Sequence, residues 1–160
     1  MKIDFKKLTI SIVGTQLAGV LGSVFNFVSI PTWYTTLNKP SFNPPNWVFG
    51  PVWTILFLMM GVAVYLVWTK KTIFHQKKKK EALQIYLLQL LLNVLWSALF
   101  FGILNPGLAF AEIIVLWLAI VITIFKFNKF STLAAWLLVP YLLWVSFASI
   151  LNFSIWILNF

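Results

Sequence analysis

Trp47-Val-Phe-Gly-Pro51-Val-Trp53-Thr-Ile-Leu-Phe57-Leu-Met-Met60-Gly-Val-Ala-Val-Tyr65-Leu-Val-Trp68 runs without a single charged side chain. At about 1.5 Å of rise per residue, a helix of this length matches the thickness of a bilayer's hydrocarbon core. The run is continuously apolar rather than alternating, so it predicts a spanning helix and not a barrel strand. Outward from it, four more apolar stretches lie at about 8–29, 82–101, 107–125 and 132–156. The predicted fold is an all-α membrane protein, a bundle of five transmembrane helices that takes up residues 1–160 as one domain.

Composition points the same way. With 61% hydrophobic and 9% charged residues and a mean hydropathy of +0.94, the chain lacks the polar side chains that a water-facing surface needs. Disorder, which requires low hydrophobicity and high charge, is excluded by the same values. The absence of cysteine excludes a disulfide framework, thiolate chemistry and Cys-ligated metals. The segment after Lys7 is too long for a cleavable signal and has no small-residue cleavage site, so it is expected to remain as a span.

The net charge of +9 comes from twelve lysines and no arginine. Lys2, Lys6 and Lys7 precede the first span. Lys70, Lys71 and Lys77–Lys80 separate the second and third, and Lys126 and Lys129 the fourth and fifth; only Lys39 lies on the opposite side. Lysine excess marks the cytoplasmic side, so the N-terminus is expected in the cytoplasm and the C-terminus outside. Topology and contact with anionic lipid explain the Lys77–Lys80 run without invoking nucleic acid. No internal repeat is visible, and five spans do not divide into two inverted halves.

The connection between spans one and two is the least lipid-like part of the chain. It reads Pro31-Thr-Trp33-Tyr34-Thr-Thr-Leu37-Asn38-Lys39-Pro40-Ser41-Phe42-Asn43-Pro44-Pro45-Asn46-Trp47. Its prolines fix φ and restrict the residues before them, so an ordered, lid-like loop is expected instead of a tether.

Helical spacing places aromatic and polar residues beneath this loop. Gln89, Asn93, Trp96 and Phe100 share a face of span three, Tyr141, Trp144, Ala148 and Asn152 a face of span five, and Trp53, Phe57 and Met60 a face of span two. Such a mixture suits a cavity for a flat, mostly apolar ligand with polar edges. Core packing is the alternative for Trp53, Trp96 and Trp144. Trp47, Trp68 and Trp156 fit an interfacial aromatic belt, and Trp117 and Trp136 fit plain packing. Gln89 fits a helix-to-helix hydrogen bond. Glu112 is the one acid inside a span and so a functional candidate, although closeness to the surface would make it affordable. Gly14, Ala18 and Gly22 form a small-residue ladder on span one, beside Thr15, Gly19 and Ser23, that allows close helix approach within the chain or across a dimer.

The stretch from Trp33 to Trp68, with its core W-Y-x-x-L-x-K-P-x-F-x-P-P-x-W-x-x-G-P-x-W over residues 33–53, resembles the TspO/translocator protein family, the tryptophan-rich sensory proteins or peripheral-type benzodiazepine receptors. The likeness continues through Leu92-Asn93-x-x-Trp96 with Phe100-Phe101-Gly102, and through Ala135-Trp136 to Pro140-Tyr141-x-x-Trp144. The resemblance implies a receptor that binds protoporphyrin IX or another flat lipophile, with sensing, stress-regulatory or porphyrin-photodegrading consequences. It implies ligand contacts at Trp33, Tyr34, Pro44, Pro45, Trp53, Asn93, Trp96, Trp144 and Ala148, and a homodimer. The porphyrin is a ligand here, and no cofactor is expected.

Animal members carry a cholesterol-recognition stretch near the end of the fifth span, a tyrosine followed by a basic residue. Here Ala148-Ser-Ile-Leu-Asn152-Phe-Ser-Ile-Trp156-Ile has phenylalanine and no base. Sterol binding is therefore not implied, and a bacterial cell membrane is the expected setting.

Catalysis has little support in the residues. His75 sits in the basic connection, no two carboxylates pair, and neither a Ser–His arrangement nor a metal-ligand cluster is present. No catalytic residue is assigned. If light-dependent porphyrin breakdown occurs, Trp53 and Trp144 are the candidates and the ligand supplies the reactive chemistry. Rival readings are a porphyrin or lipid transporter, a photo-oxidative enzyme, and a regulatory partner protein with a collapsed pocket.

Overall fold

The computed structural model describes residues 3–72 and 75–160; Lys2, counted above among the N-terminal lysines, lies outside them. Among the described residues, all regular structure is helical. The elements are α1 (Phe5–Ser29), a single turn α2 (Trp33–Thr36), α3 (Asn46–Thr69), α4 (Gln76–Ser97) running into a π-helical turn (Ala98–Gly102), α5 (Pro106–Asn128) and α6 (Thr132–Asn159). All but α2 are long and apolar enough to cross a membrane.

Local sequence explains most of the helix starts. Asp4, Asn105 and Ser131 each turn a side-chain oxygen onto a free backbone N–H of the first turn, from Lys7, Leu108 and Ala134. Pro106 occupies the first turn of α5, where its missing donor costs nothing. The expected third span starts at about 82, but α4 starts at Gln76. Lysine, glutamine and glutamate are good helix formers, and Lys79 folds back so that its amine donates to Trp68 O at 3.2 Å and Lys70 O at 3.1 Å. The basic run is therefore a helical extension closing the C-terminus of α3, not a loop. Lys126 pairs with Glu81 at 3.2 Å across the same end.

The spanning helices form a closed ring in the order α1, α3, α6, α5, α4, with α4 returning to α1. Inside it, Leu56, Met60, Tyr86, Ile120, Leu138 and Tyr141 belong to one apolar core. By contrast, α1 buries only small residues, Ser11, Thr15, Gly22 and Ser29. A Cβ on Gly19 would come within 2.5 Å of the Phe57 ring, and one on Gly22 within 3.2 Å of Ser97 Oγ. Gly14 has nothing within 4 Å. The ladder expected on span one thus works within the chain at Gly22, with Gly19 beside it, while Gly14 faces outward. Large apolar side chains cover the outside, Phe27 and Trp47 among the most exposed. In water such a surface would be untenable; in lipid it is the expected one.

Candidate functional site

The Pro31–Trp47 loop lies across one end of the ring and is held there by specific contacts. Tyr34 is 4% exposed, and its hydroxyl donates to Asn43 Oδ1 at 2.8 Å. Burial pushes that hydroxyl up to about 12, the Asn43 bond pulling it the other way, so it stays a neutral donor. Asn38 and Asn159 exchange hydrogen bonds, Asn38 N to Asn159 Oδ1 at 2.8 Å and Asn159 Nδ2 to Asn38 O at 2.9 Å. Trp33 meets Phe100 edge-on at 5.6 Å, Phe42 meets Phe147 at 6.2 Å, and the Lys39 amine sits 4.7 Å over the Tyr34 ring. The expected lid is ordered because its aromatics are docked, with its prolines keeping the chain between them extended.

Beneath the loop is a space with two ends. The inner end, about 60 Å³, is enclosed by Tyr34, Phe49, Trp53, Trp96, Trp144, Ala148 and neighbours from α6. The outer end is a groove of about 680 Å³ between α1 and α3, lined by Gln16, Ser23, Asn26, Trp47, Thr54 and Asn93 among others. Asn26, Ile30, Asn46, Phe49, Trp53 and Trp96 line both. A drug-sized ligand needs roughly 300–1,000 Å³. The enclosed end alone is far too small, so a ligand of that size must use the groove as well.

Polar groups around the space are mostly committed. Asn93 Nδ2 donates to Tyr141 Oη at 3.1 Å. Trp96 Nε1 donates to Asn152 Oδ1 at 3.0 Å, and Asn152 Nδ2 to Pro106 O at 2.8 Å, a relay that ties α4, α6 and α5 together. At the junction of the two ends Asn26 Oδ1 is buried and has no hydrogen-bond partner. Stacked and edge-on ring pairs, Trp53–Tyr141, Phe49–Trp144 and Trp96–Phe100, give the walls their π surface.

This lidded aromatic space in a five-span ring coincides with a family pattern. Residues 11–157 match the model of the TspO/MBR family. The chain belongs to the TspO/MBR family. The tryptophan-rich protein TspO of Archaeoglobus fulgidus is 42% identical over 157 residues, 98% of this chain and 99% of that protein. The protein of the same name from Chlorobaculum tepidum is 47% identical over 148 residues, 92% of each chain. The translocator protein of Homo sapiens is 41% identical over 124 residues, 78% of this chain and 73% of that one. It is an integral, multi-pass membrane protein of the TspO/MBR type.

Of the residues singled out for ligand contact, Tyr34, Trp53, Asn93, Trp96, Trp144 and Ala148 line the space. Trp33, Pro44 and Pro45 do not; Trp33 packs on Phe100 from outside, and the two prolines shape the loop. Glu112 is buried on α5 with neither carboxyl oxygen hydrogen-bonded, and it lines neither end. Gln89 is buried with both amide atoms unpartnered, so the helix-to-helix bond expected of it is not formed. Trp117, read as plain packing, donates Nε1 to Ser146 Oγ at 2.8 Å, while Trp136 is 66% exposed on the outside.

Reading the sequence misses Asn26, Asn46, Phe49 and Phe101. Phe101 is missed for a definite reason: in an α-helix it points about 100° away from Phe100, but the π turn carries an extra residue and buries both rings. Phe49 sits four residues before Trp53 in the first turn of α3 and could have been found by extending that face back through Pro51.

Proposed function

We propose that this TspO/MBR protein is a receptor for a flat lipophilic ligand, a tetrapyrrole such as protoporphyrin IX, held beneath the docked loop. The carrying observation is the convergence of Trp53, Trp96, Trp144 and Tyr34 on one mostly apolar space that has a few polar side chains in its lining. Rings offer stacking surface to a macrocycle, with Asn26 and Asn46 where the two ends meet and Asn93 in the groove to take its polar substituents. The relatives named sensory and translocator proteins are compatible with a ligand-reading role. In this reading Trp53, Asn93, Trp96, Trp144 and Ala148 contact the ligand, and Trp33, Pro44 and Pro45 act through the loop. The lysine-rich end faces the cytoplasm of a bacterial cell and the loop faces outward.

A ligand that binds only the folded chain raises its stability by about 2.7 kcal/mol at 100 times Kd. Saturating protoporphyrin IX in the dark should therefore raise the unfolding temperature of the detergent-solubilised protein. The rise should shrink in Trp144→Phe and Trp53→Phe. An unchanged unfolding temperature across a full titration would refute ligand binding.

A further inference from the structure

The two ends of the space differ in where they lead. The enclosed end stops against α6, whereas the groove opens sideways between α1 and α3. Its rim residues Val20, Ser23, Phe27, Trp47, Gly50 and Thr54 are all exposed on the flank of the bundle, among side chains that face lipid. From Gln16 to Pro31 the groove follows α1 for about 22 Å at 1.5 Å per residue, so it reaches from mid-span to the loop.

The gap is framed. Towards the lysine-rich end, α1 and α3 touch so closely at Gly61 that a Cβ there would come within 2.8 Å of Ile12 Cα, and Thr15 Oγ1 shares a hydrogen bond of 2.7 Å with Tyr86 Oη. At the loop end, Ser29 Oγ donates to Phe101 O. Between these two anchorages Gln16 Nε2, bonded to Thr54 O at 3.0 Å, reaches across at the lower edge, and Gly19 packs on the Phe57 ring at the floor of the groove. Of the five spans α1 is also the least covered by protein, 17% of its span against 33–44% for the others, and the residues it buries are small, so moving its middle aside uncovers little apolar surface. The loop offers no comparable route. Lifting it would break the paired Asn38–Asn159 bonds and the Tyr34–Asn43 bond and bring Tyr34, Phe100 and Phe101 into water.

We infer that the ligand enters sideways from the bilayer, through the window between α1 and α3, while the loop stays shut. This rests on the binding reading above. It also narrows the ligand class to membrane-dissolved lipophiles with an N–H or O–H donor on the leading edge, because the free Asn26 Oδ1 waits where the window meets the enclosed end.

The chain has no cysteine, so pairs can be introduced cleanly. Val20→Cys with Gly50→Cys lies one turn beyond the Gln16–Thr54 bond on each helix and can be bridged across the window by a reductant-cleavable dithiol cross-linker. Asn38→Cys with Asn159→Cys staples the loop. Each protein, in phosphatidylcholine vesicles, is mixed with donor vesicles carrying protoporphyrin IX, and tryptophan quenching is followed in time. The window staple should slow binding by about ten-fold or more, and reduction of the cross-linker should restore the native rate. The loop staple should leave the rate within about two-fold. Slowing by the loop staple alone, or saturable binding at the native rate with the window stapled, would overturn the route and leave the binding reading standing. Absence of saturable quenching in the unmodified chain would overturn the binding reading and the route with it.

Discussion

At Gly61 an added methyl group has nowhere to go, because it would meet the backbone of α1 at 2.8 Å, whereas at Gly14 it would meet nothing within 4 Å. Gly61→Ala should therefore cost about 1–3 kcal/mol, typical of overpacking at a rigid contact. Gly14→Ala should stay within about 0.5 kcal/mol of the native chain. Denaturant unfolding in mixed micelles separates the two. Trp96 has a different kind of weight, since its indole N–H satisfies Asn152, which in turn satisfies Pro106 O. Trp96→Phe leaves Asn152 Oδ1 without its donor and should destabilise the fold by about 1–3 kcal/mol as well as weakening ligand binding. Much of this was legible at the level of faces: helical spacing put Asn93 with Trp96 and Tyr141 with Trp144 before any contact was known. Spacing does not reveal which polar atoms find partners, so it could not single out Asn26, whose free oxygen is a property of neighbours on other helices.

Among the elements, the loop and the π turn determine the site. The loop's prolines announced order, but its docking depends on aromatic pairs between segments distant in sequence, Phe42 with Phe147 and Trp33 with Phe100. The π turn has no signature in Ala98–Gly102 that a helical wheel detects, which is why Phe101 was missed. Two outcomes belong to the loop. Asn159→Ala removes both reciprocal bonds to Asn38, so limited proteolysis within the loop should become several-fold faster, with cleavage of the bundle itself unchanged. Tyr34 adds a pH dependence. Its hydroxyl is raised from 10.0 to about 12 by burial, so the docked loop holds the proton more tightly than the undocked one. Docking should be fully stable below about pH 10 and be lost as pH rises through about 12. Loop proteolysis with pH should show that step in the native chain and not in Tyr34→Phe.

On the scale of the whole molecule, a ring of five helices in the order α1, α3, α6, α5, α4 lets the loop that leaves α1 and enters α3 reach across the ring to the π turn and α6. Five spans could be counted from hydropathy, and the lysine asymmetry gives an orientation. The ring order could not be read, because continuous apolar runs carry almost no amphipathic signal to say which faces meet. The side opening follows from that order together with the small residues of α1, and neither alone reveals it. Orientation has its own test: a cysteine replacing Asn38 should react with an impermeant maleimide added outside intact cells, and one replacing Lys78 only after permeabilisation. The reverse pattern would invert the molecule.

The claim on which everything else depends is that the tryptophan-lined space is a binding site. The direct measurement is a dark protoporphyrin IX titration of the protein in lipid nanodiscs, read by tryptophan quenching, with Trp53→Phe and Trp144→Phe alongside. Saturation at one ligand per chain, with the midpoint shifted to higher concentration by about ten-fold in either variant, is the predicted result. Quenching that rises linearly with porphyrin and is indifferent to both substitutions would mean the porphyrin only dissolves in the lipid, and would contradict it.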